Sequence, residues 1–208
     1  MKQPIELTRG AIAILLNKAL HSPPNEFHQT AGFPEGLLPE PPRKAAVLVP
    51  FLIKDNAWHI LFTRRTASLP EHSDQVAFPG GRSEAKDVTP QQTALREAQE
   101  EINLNANHVK VLGQLREIRT ITNYCVTPVV GEIPWPYEFQ LATNEVSRVF
   151  TIPLVWLADP ANHKTQYREL PPPYSPVPVI YFNKYDGELL WGVSAQITLD
   201  LLMALEVV

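Results

Sequence analysis

A chain of 208 residues with 44% apolar content is long enough for one domain with a real core. Its formal net charge of −4 speaks against nucleic acid or an anionic membrane as the main partner. A single cysteine, Cys125, excludes an internal disulfide, and with no run long enough to span a membrane, no apolar signal-peptide core in MKQPIELTRG and no peroxisomal address at the terminal EVV, a soluble cytoplasmic protein is expected.

Ile12, Leu15, Leu16, Ala19 and Leu20 recur at helical spacing and predict a helix near residues 7 to 20. A proline-rich stretch follows from Pro23 to Pro42; it is one of three clusters among 21 prolines, about twice the usual share. It reads as a loop or a linker before the first strand. AAVLVPFLI (Ala45 to Ile53) predicts a buried strand, and WHILFTRR (Trp58 to Arg65) a second, joined by a short polar turn as a hairpin. QVAFP (Gln75 to Pro79) predicts a short strand ending at Gly80-Gly81. The best-marked helix comes next: Thr89 can cap it, Pro90 fits its first position, Gln92 completes a capping box and Asn103 can close it in the left-handed conformation. Strands are predicted near Val109 to Glu117, Tyr124 to Ile133 and Arg148 to Pro153. VIYFNKYDGELLW (Val179 to Trp191) reads as a hairpin turned near Asp186-Gly187, and Ile197, Leu201, Leu202 and Leu205 mark a final helix. Strands between terminal helices suggest a layered α/β or α+β domain. The division is expected at residue 43: a helix and proline-rich segment over 1–43, and the main domain over 44–208.

ALREAQEEINL (Ala94 to Leu104) crowds Glu97, Glu100 and Glu101 onto the capped helix. At about 100° per residue, Glu97 and Glu101 nearly align, Glu100 lies further round, and Leu95, Ala98 and Ile102 form a neighbouring apolar stripe. Like charges at this spacing cost a few tenths of a kcal/mol each, and they sit toward the end where the helix dipole disfavours anions. Two readings stand: a solvated acidic face, or oxygen ligands for Mg²⁺ or Mn²⁺, which would reverse the sign of those interactions. Gly80-Gly81 likewise reads as a tight turn or as a place where backbone comes close to the carboxylates.

Gly81, Asp87, Arg96, Glu97, Ala98, Glu100, Glu101, Asn103 and Leu104 together resemble the motif of the Nudix hydrolase family. The loop is one residue longer than in the standard motif, Asp87 stands for a glutamate, and Asn103 replaces a glycine. LFTRRTASLPEHSDQVAFPGG (Leu61 to Gly81) is similar to the signature of the coenzyme A pyrophosphatase branch, matching at Thr63, Arg65, His72, Gln75, Phe78, Pro79, Gly80 and Gly81. Thr66, Pro70 and Asp74 stand where the branch usually has Ser or Ala, Arg and Gly. YCVTPVVG, NEVSRVFTIPL and LLWGVSA extend the resemblance over about residues 44 to 200.

The resemblance implies a Nudix fold, a mixed sheet sandwiched between helices with helical extensions at both ends. It implies metal-dependent hydrolysis of a nucleoside diphosphate linked to another moiety. On that basis Glu97 and Glu101 are expected as the main metal ligands, Glu100 as a shared or second-ion ligand and the Gly81 carbonyl as a further one. Arg96 is expected to orient a glutamate. The general base is expected to be a helix glutamate or Glu145. With coenzyme A as the leading substrate, Arg64, Arg65, Arg82 and Arg119 are candidates for its 3′-phosphate, with plain surface charge the other reading for several of them, and His72 is a candidate for a substrate contact or for a structural hydrogen bond. ADP-ribose, a dinucleotide or a nucleoside triphosphate is the first alternative, and a non-catalytic ligand-sensing domain on the same fold the second. The expected partner is a small-molecule nucleotide, with no nucleic acid and no membrane. Residues 1–43 are expected either to cover the core or to help form a homodimer.

Overall fold

The computed structural model describes residues 7–23, 38–67, 74–170, 172 and 174–208. Helix α1 spans Arg9–His21, with the Thr8 hydroxyl accepting from Ala11 N–H as its cap. Two long strands follow, β1 (Arg43–Lys54) and β2 (Ala57–Arg65), then the short strands β3 (Val76–Ala77) and β4 (Gly80–Arg82). Helix α2 is Pro90–Ile102. Next come β5 (Lys110–Gln114), β6 (Ile118–Arg119), β7 (Tyr124–Glu132) and β8 (Val146–Pro153). A short helix α3 (Leu154–Leu157) leads to β9 (His163–Arg168), β10 (Val177–Phe182) and helix α4 (Gly192–Ala204).

Strands β1 to β8 form one mixed sheet of eight. Its centre is the parallel pair of β1 and β7, matched from Arg43 with Tyr124 to Phe51 with Glu132. Both faces of β1 are covered, which is why AAVLVPFLI is nearly continuously apolar. Ala45, Val49 and Phe51 face a core shared with Ile12 and Leu16 of α1 and Leu199, Leu201, Leu202 and Leu205 of α4. Ala46, Leu48 and Leu52 face Ala94, Ala98 and Ile102 of α2. Helices therefore cover both faces of the sheet. No helix among the described residues is long and apolar enough to cross a membrane.

One irregularity in the sheet makes room for a site. β1 and β2 pair only at their hairpin end, Phe51–Lys54 with Ala57–Ile60. Beyond it they splay, and residues 76–82 fill the wedge. Val76 and Ala77 pair with β2, and Gly80, Gly81 and Arg82 then pair with β1. Pro50, an odd residue for a central strand, fits because Leu48 N–H points to this edge, toward Pro79 O at 2.8 Å. Two residues on, position 50 faces the same edge in the gap between the two partner strands, so no ladder bond is lost.

Several expected boundaries shift. The strand expected over Gln75 to Pro79 is only Val76–Ala77, and Gly80-Gly81 opens a strand instead of turning the chain. The strand near Val109 to Glu117 ends at Gln114, with Ile118–Arg119 pairing separately to β7. Asp186-Gly187 does make a tight turn, with Tyr185 and Glu188 exchanging backbone hydrogen bonds. The strand leading into it, however, is paired with β9 along its length, and contacts Trp191 through a single bridge. β9 is HKTQYR, polar and almost wholly exposed, so no apolar pattern announces it.

Candidate active site

Helix α2 is held in register by its ends. Thr89 Oγ1 accepts from Gln92 N–H at 3.2 Å, and Gln92 Oε1 accepts from Thr89 N–H at 3.1 Å, the reciprocal capping box expected from the sequence. Asn103 closes the helix at φ 54°, with Leu104 N–H reaching back to Ala98 O. Ala94, Ala98 and Ile102 anchor the buried face, so the next arc of the helix lies along the wedge that holds Gly80 and Gly81.

Glu97 and Glu101 occupy that arc. Glu101 is 4% exposed, and its Oε2 accepts from Gly80 N–H at 3.2 Å. Its other oxygen lies 3.9 Å from Arg65 Nη1. Burial pushes the Glu101 carboxyl up to about 8; the Gly80 amide and Arg65 pull it back, while the charges of Glu97 and Glu145 add to the rise. Glu97 is raised too, by burial first, with Arg96 opposing and Glu100 and Glu145 adding. Its carboxylate packs against Gly81 so tightly that a Cβ there would lie 2.6 Å from Glu97 Cδ. Glu145, from the turn before β8, is thus brought into the field of both helix acids.

Arg96 is the organiser of the outer side. It pairs with Glu97 at 2.9 Å and Glu100 at 3.0 Å, and donates to Arg82 O at 3.0 Å. Its main partner is Asp87, with Nη2 to Oδ2 at 2.9 Å and Nε to Oδ1 at 3.2 Å. That pairing holds the Asp87 carboxyl down at about 2. Asp87 also accepts from Glu84 N–H and Thr93 Oγ1, so the longer loop is folded around it. Sequence reasoning expected Arg96 to orient a glutamate; it also, and chiefly, binds the loop aspartate. Glu100 remains half-exposed beside Arg96.

The other candidates divide. Arg65 lies against Glu101, and its buried Nε has no hydrogen-bond partner among the described residues. The site uses Arg82 through its carbonyl, and the side chain is exposed. Arg64 is spent on Asp74 at 3.1 Å and on buried Glu188 at 3.4 Å. Arg119 is tied to Glu40, Pro39 O and Asn123 Oδ1. Its strand lies beyond β1 and β7 from β4, roughly 14 Å away at about 4.8 Å per strand. His72 and Pro70 fall outside the described residues. Asp74 sits at φ 58°, a left-handed conformation that aspartate tolerates, and its charge is paired with Arg64. The motif reading missed Glu188, which accepts from Arg148 Nη1 at 2.8 Å as well and joins the Asp186-Gly187 turn to the sheet. Nothing in an exposed-looking DGE run signals that burial.

Among the described residues no three His, Cys, Asp or Glu side chains are gathered closely enough to hold a metal ion, and Arg96 is paired with both Glu97 and Glu100. The donor set nevertheless suits a hard divalent cation: two neighbouring carboxylates, both pushed up chiefly by burial, one of them packed on a glycine whose missing side chain leaves it room. The NUDIX domain family matches residues 42–171. The chain belongs to the Nudix family. It is a Nudix pyrophosphohydrolase, of a family that acts broadly on nucleoside diphosphate substrates and generally uses divalent cations. The uncharacterized Nudix hydrolase NudL of Photorhabdus laumondii is 36% identical over 185 residues, covering 82% of this chain and 92% of that protein. The NudL protein of Yersinia pestis is 36% identical over 156 residues, covering 74% and 76%. A MutT/nudix family protein of Enterococcus faecalis shares the fold, with a TM-score of 0.52 at 16% identity over 85% of this chain and 65% of that one. In this Nudix protein, then, the capped helix α2 carries the residues that resemble the family's motif, and the wedge strand β4 supplies the glycine corner beside it.

Proposed function

We propose that this Nudix hydrolase cleaves the pyrophosphate of coenzyme A or its derivatives, giving 3′,5′-ADP and 4′-phosphopantetheine, with Mg²⁺ or Mn²⁺. The observation that carries the chemistry is the pair of carboxylates at the Gly80-Gly81 corner, Glu101 accepting from Gly80 N–H and Glu97 packed on Gly81, with Arg65 3.9 Å from Glu101 and Arg96 2.9 Å from Glu97. The substrate rests on the run from Leu61 to Gly81, which resembles the coenzyme A branch. Asp74, one of its departures, is accounted for by conformation and by its pairing with Arg64, so it adds no unpaired negative charge.

In this reading Glu97 and Glu101 are the main metal ligands, with the Gly81 carbonyl beside them, and Glu100 serves a second ion by leaving Arg96. A bound divalent cation neutralises phosphoanhydride oxygens and lowers the pKa of a water. Arg96 keeps Glu97 in place through charge-assisted hydrogen bonds and is itself fixed by Asp87. Glu145 or a helix glutamate takes the proton from the attacking water. Arg65 is the first choice for a substrate phosphate and Arg82, with its exposed side chain, for the 3′-phosphate. Arg64 and Arg119 rank lower because each is already committed to acids, and His72 rests on the resemblance alone.

The test is a panel of coenzyme A, ADP-ribose, diadenosine tetraphosphate and dATP with Mg²⁺ and with Mn²⁺. Coenzyme A should show the highest kcat/KM. A preference for ADP-ribose or the dinucleotide would move the chain to the second reading, which Pro70 in place of a basic residue favours. Glu101→Gln should lower kcat by roughly 10²-fold or more, the scale for losing a group that stabilises transition-state charge. Full turnover in that variant would remove Glu101 from the ligand set.

A further inference from the structure

β8 carries one extra residue where it passes the site. The ladder with β2 runs regularly from His59 opposite Pro153 to Arg64 opposite Arg148, then jumps so that Arg65 stands opposite Val146. Ser147 is the residue left over. Its hydroxyl lies 3.1 Å from Arg64 O and 3.4 Å from Arg65 O, on the two peptides it must bridge for the bulge to hold. Beyond it the pairing resumes, with Thr66 N–H donating to Glu145 O at 2.9 Å.

The consequence is a change of face. Side chains alternate along a strand, so residues three apart point to opposite sides. Yet Val149 and Val146 both pack on the α2 side of the sheet. Only the inserted residue permits that. It turns Val146 toward α2 instead of toward the α1–α4 core, and the turn just before it is tied to the same helix, with Ala142 N–H donating to Glu101 O at 2.9 Å and Glu145 N–H to Ala142 O at 2.8 Å. The same irregularity falls at Arg65, whose guanidinium approaches Glu101. Bulges commonly re-aim side chains beside active sites.

We propose that Ser147 is a positioning residue of the hydrolytic site, its hydroxyl pinning the bulge that seats the Glu145 turn beside Glu101 and Arg65. The inference rests on the reading of Glu97, Glu101 and Glu145 as the reacting cluster. Ser147 touches no acid of the site and is exposed, so its replacement leaves the core intact. In Ser147→Ala we expect kcat to fall roughly ten- to a hundredfold with KM within about threefold, because a small displacement of a well-placed group is costly in rate. Hydrogen exchange at the Thr66 amide, measured without metal or substrate, should speed up at least about tenfold in the same variant. Ser147→Thr, which keeps the hydroxyl, should restore both. The substrate is the best one from the panel above, with Mg²⁺. A Ser147→Ala enzyme with near-native kcat, a rate loss without faster Thr66 exchange, or a Ser147→Thr enzyme that restores neither would each overturn the proposal. Glu101→Gln separates the two levels: if it retains full turnover, the reading of the cluster fails; if it is inactive while Ser147→Ala is native-like, only the role of Ser147 fails.

Discussion

A Cβ on Gly81 would meet the Glu97 carboxylate at 2.6–2.7 Å, whereas one on Gly80 would meet Ala46 O at 2.5 Å and Val47 Cα at 2.6 Å. The two collisions differ in kind. A carboxylate at the end of a side chain can swing aside, but the backbone of the central strand cannot. Gly81→Ala is therefore expected to fold with a melting temperature within a few degrees of the native protein and to lose kcat by about 10²-fold, since it displaces a proposed ligand. Gly80→Ala is expected to lower stability by more than about 2 kcal/mol, read as a drop in the denaturation midpoint. The opposite ranking, with Gly81→Ala unstable and Gly80→Ala merely inactive, would contradict this account. The diglycine was visible in the sequence. Which glycine served backbone packing and which made room for a side chain was not, because that depends on strand register.

Helix α2 is the element that the sequence described best, and its two ends show why. Caps are local: Thr89, Pro90, Gln92 and Asn103 act on backbone groups a few residues away, so their chemistry can be read along the chain. Thr89→Ala should cost about 1 kcal/mol. Asn103→Ala should cost about 1 kcal/mol or more, because alanine is forced into the left-handed conformation at φ 54°. Asn103→Gly should lie within about 0.5 kcal/mol of the native protein, glycine's freedom offsetting the lost contact from Gln99 Nε2 to Asn103 Oδ1. Urea midpoints at unchanged m-value check all three. An Asn103→Gly variant as unstable as Asn103→Ala would show that the side chain, and not the backbone conformation, is what matters there. Elements set by non-local pairing were harder to read. β9 has neither apolar alternation nor flanking glycine, and exists because Val177–Phe182 lies alongside it. The wedge strand β4 depends on how far β1 and β2 splay, and the bulge at Ser147 on which face the neighbouring valines must cover.

At the scale of the molecule, the packing of α4 against the sheet buries a carboxylate far along the chain from the motif helix. Asp200 is 5% exposed, accepts from Gln196 Nε2 at 3.0 Å, and is pushed up to about 7 by burial. The final helix was predicted from its leucines, but the aspartate among them carried no hint of its environment. Its effect on stability has a definite sign. An acid whose folded pKa lies above its unfolded value near 3.9 binds a proton more readily in the native state. Between about pH 4 and pH 7 the native protein thus holds a proton that the unfolded chain gives up, so stability falls as pH rises through this window and levels off above it. Asp200→Asn removes that titration. Relative to the native sequence, the variant should gain little at pH 4 and progressively more up to pH 8, by on the order of 3–4 kcal/mol at about 1.4 kcal/mol for each tenfold difference in proton affinity between the folded and unfolded chains. Denaturant unfolding of both proteins at pH 4, 6 and 8 measures the difference. A constant offset across the three pH values would mean that Asp200 titrates alike in the folded and unfolded chains, and that its carboxylate finds in the native packing as much solvation as in water.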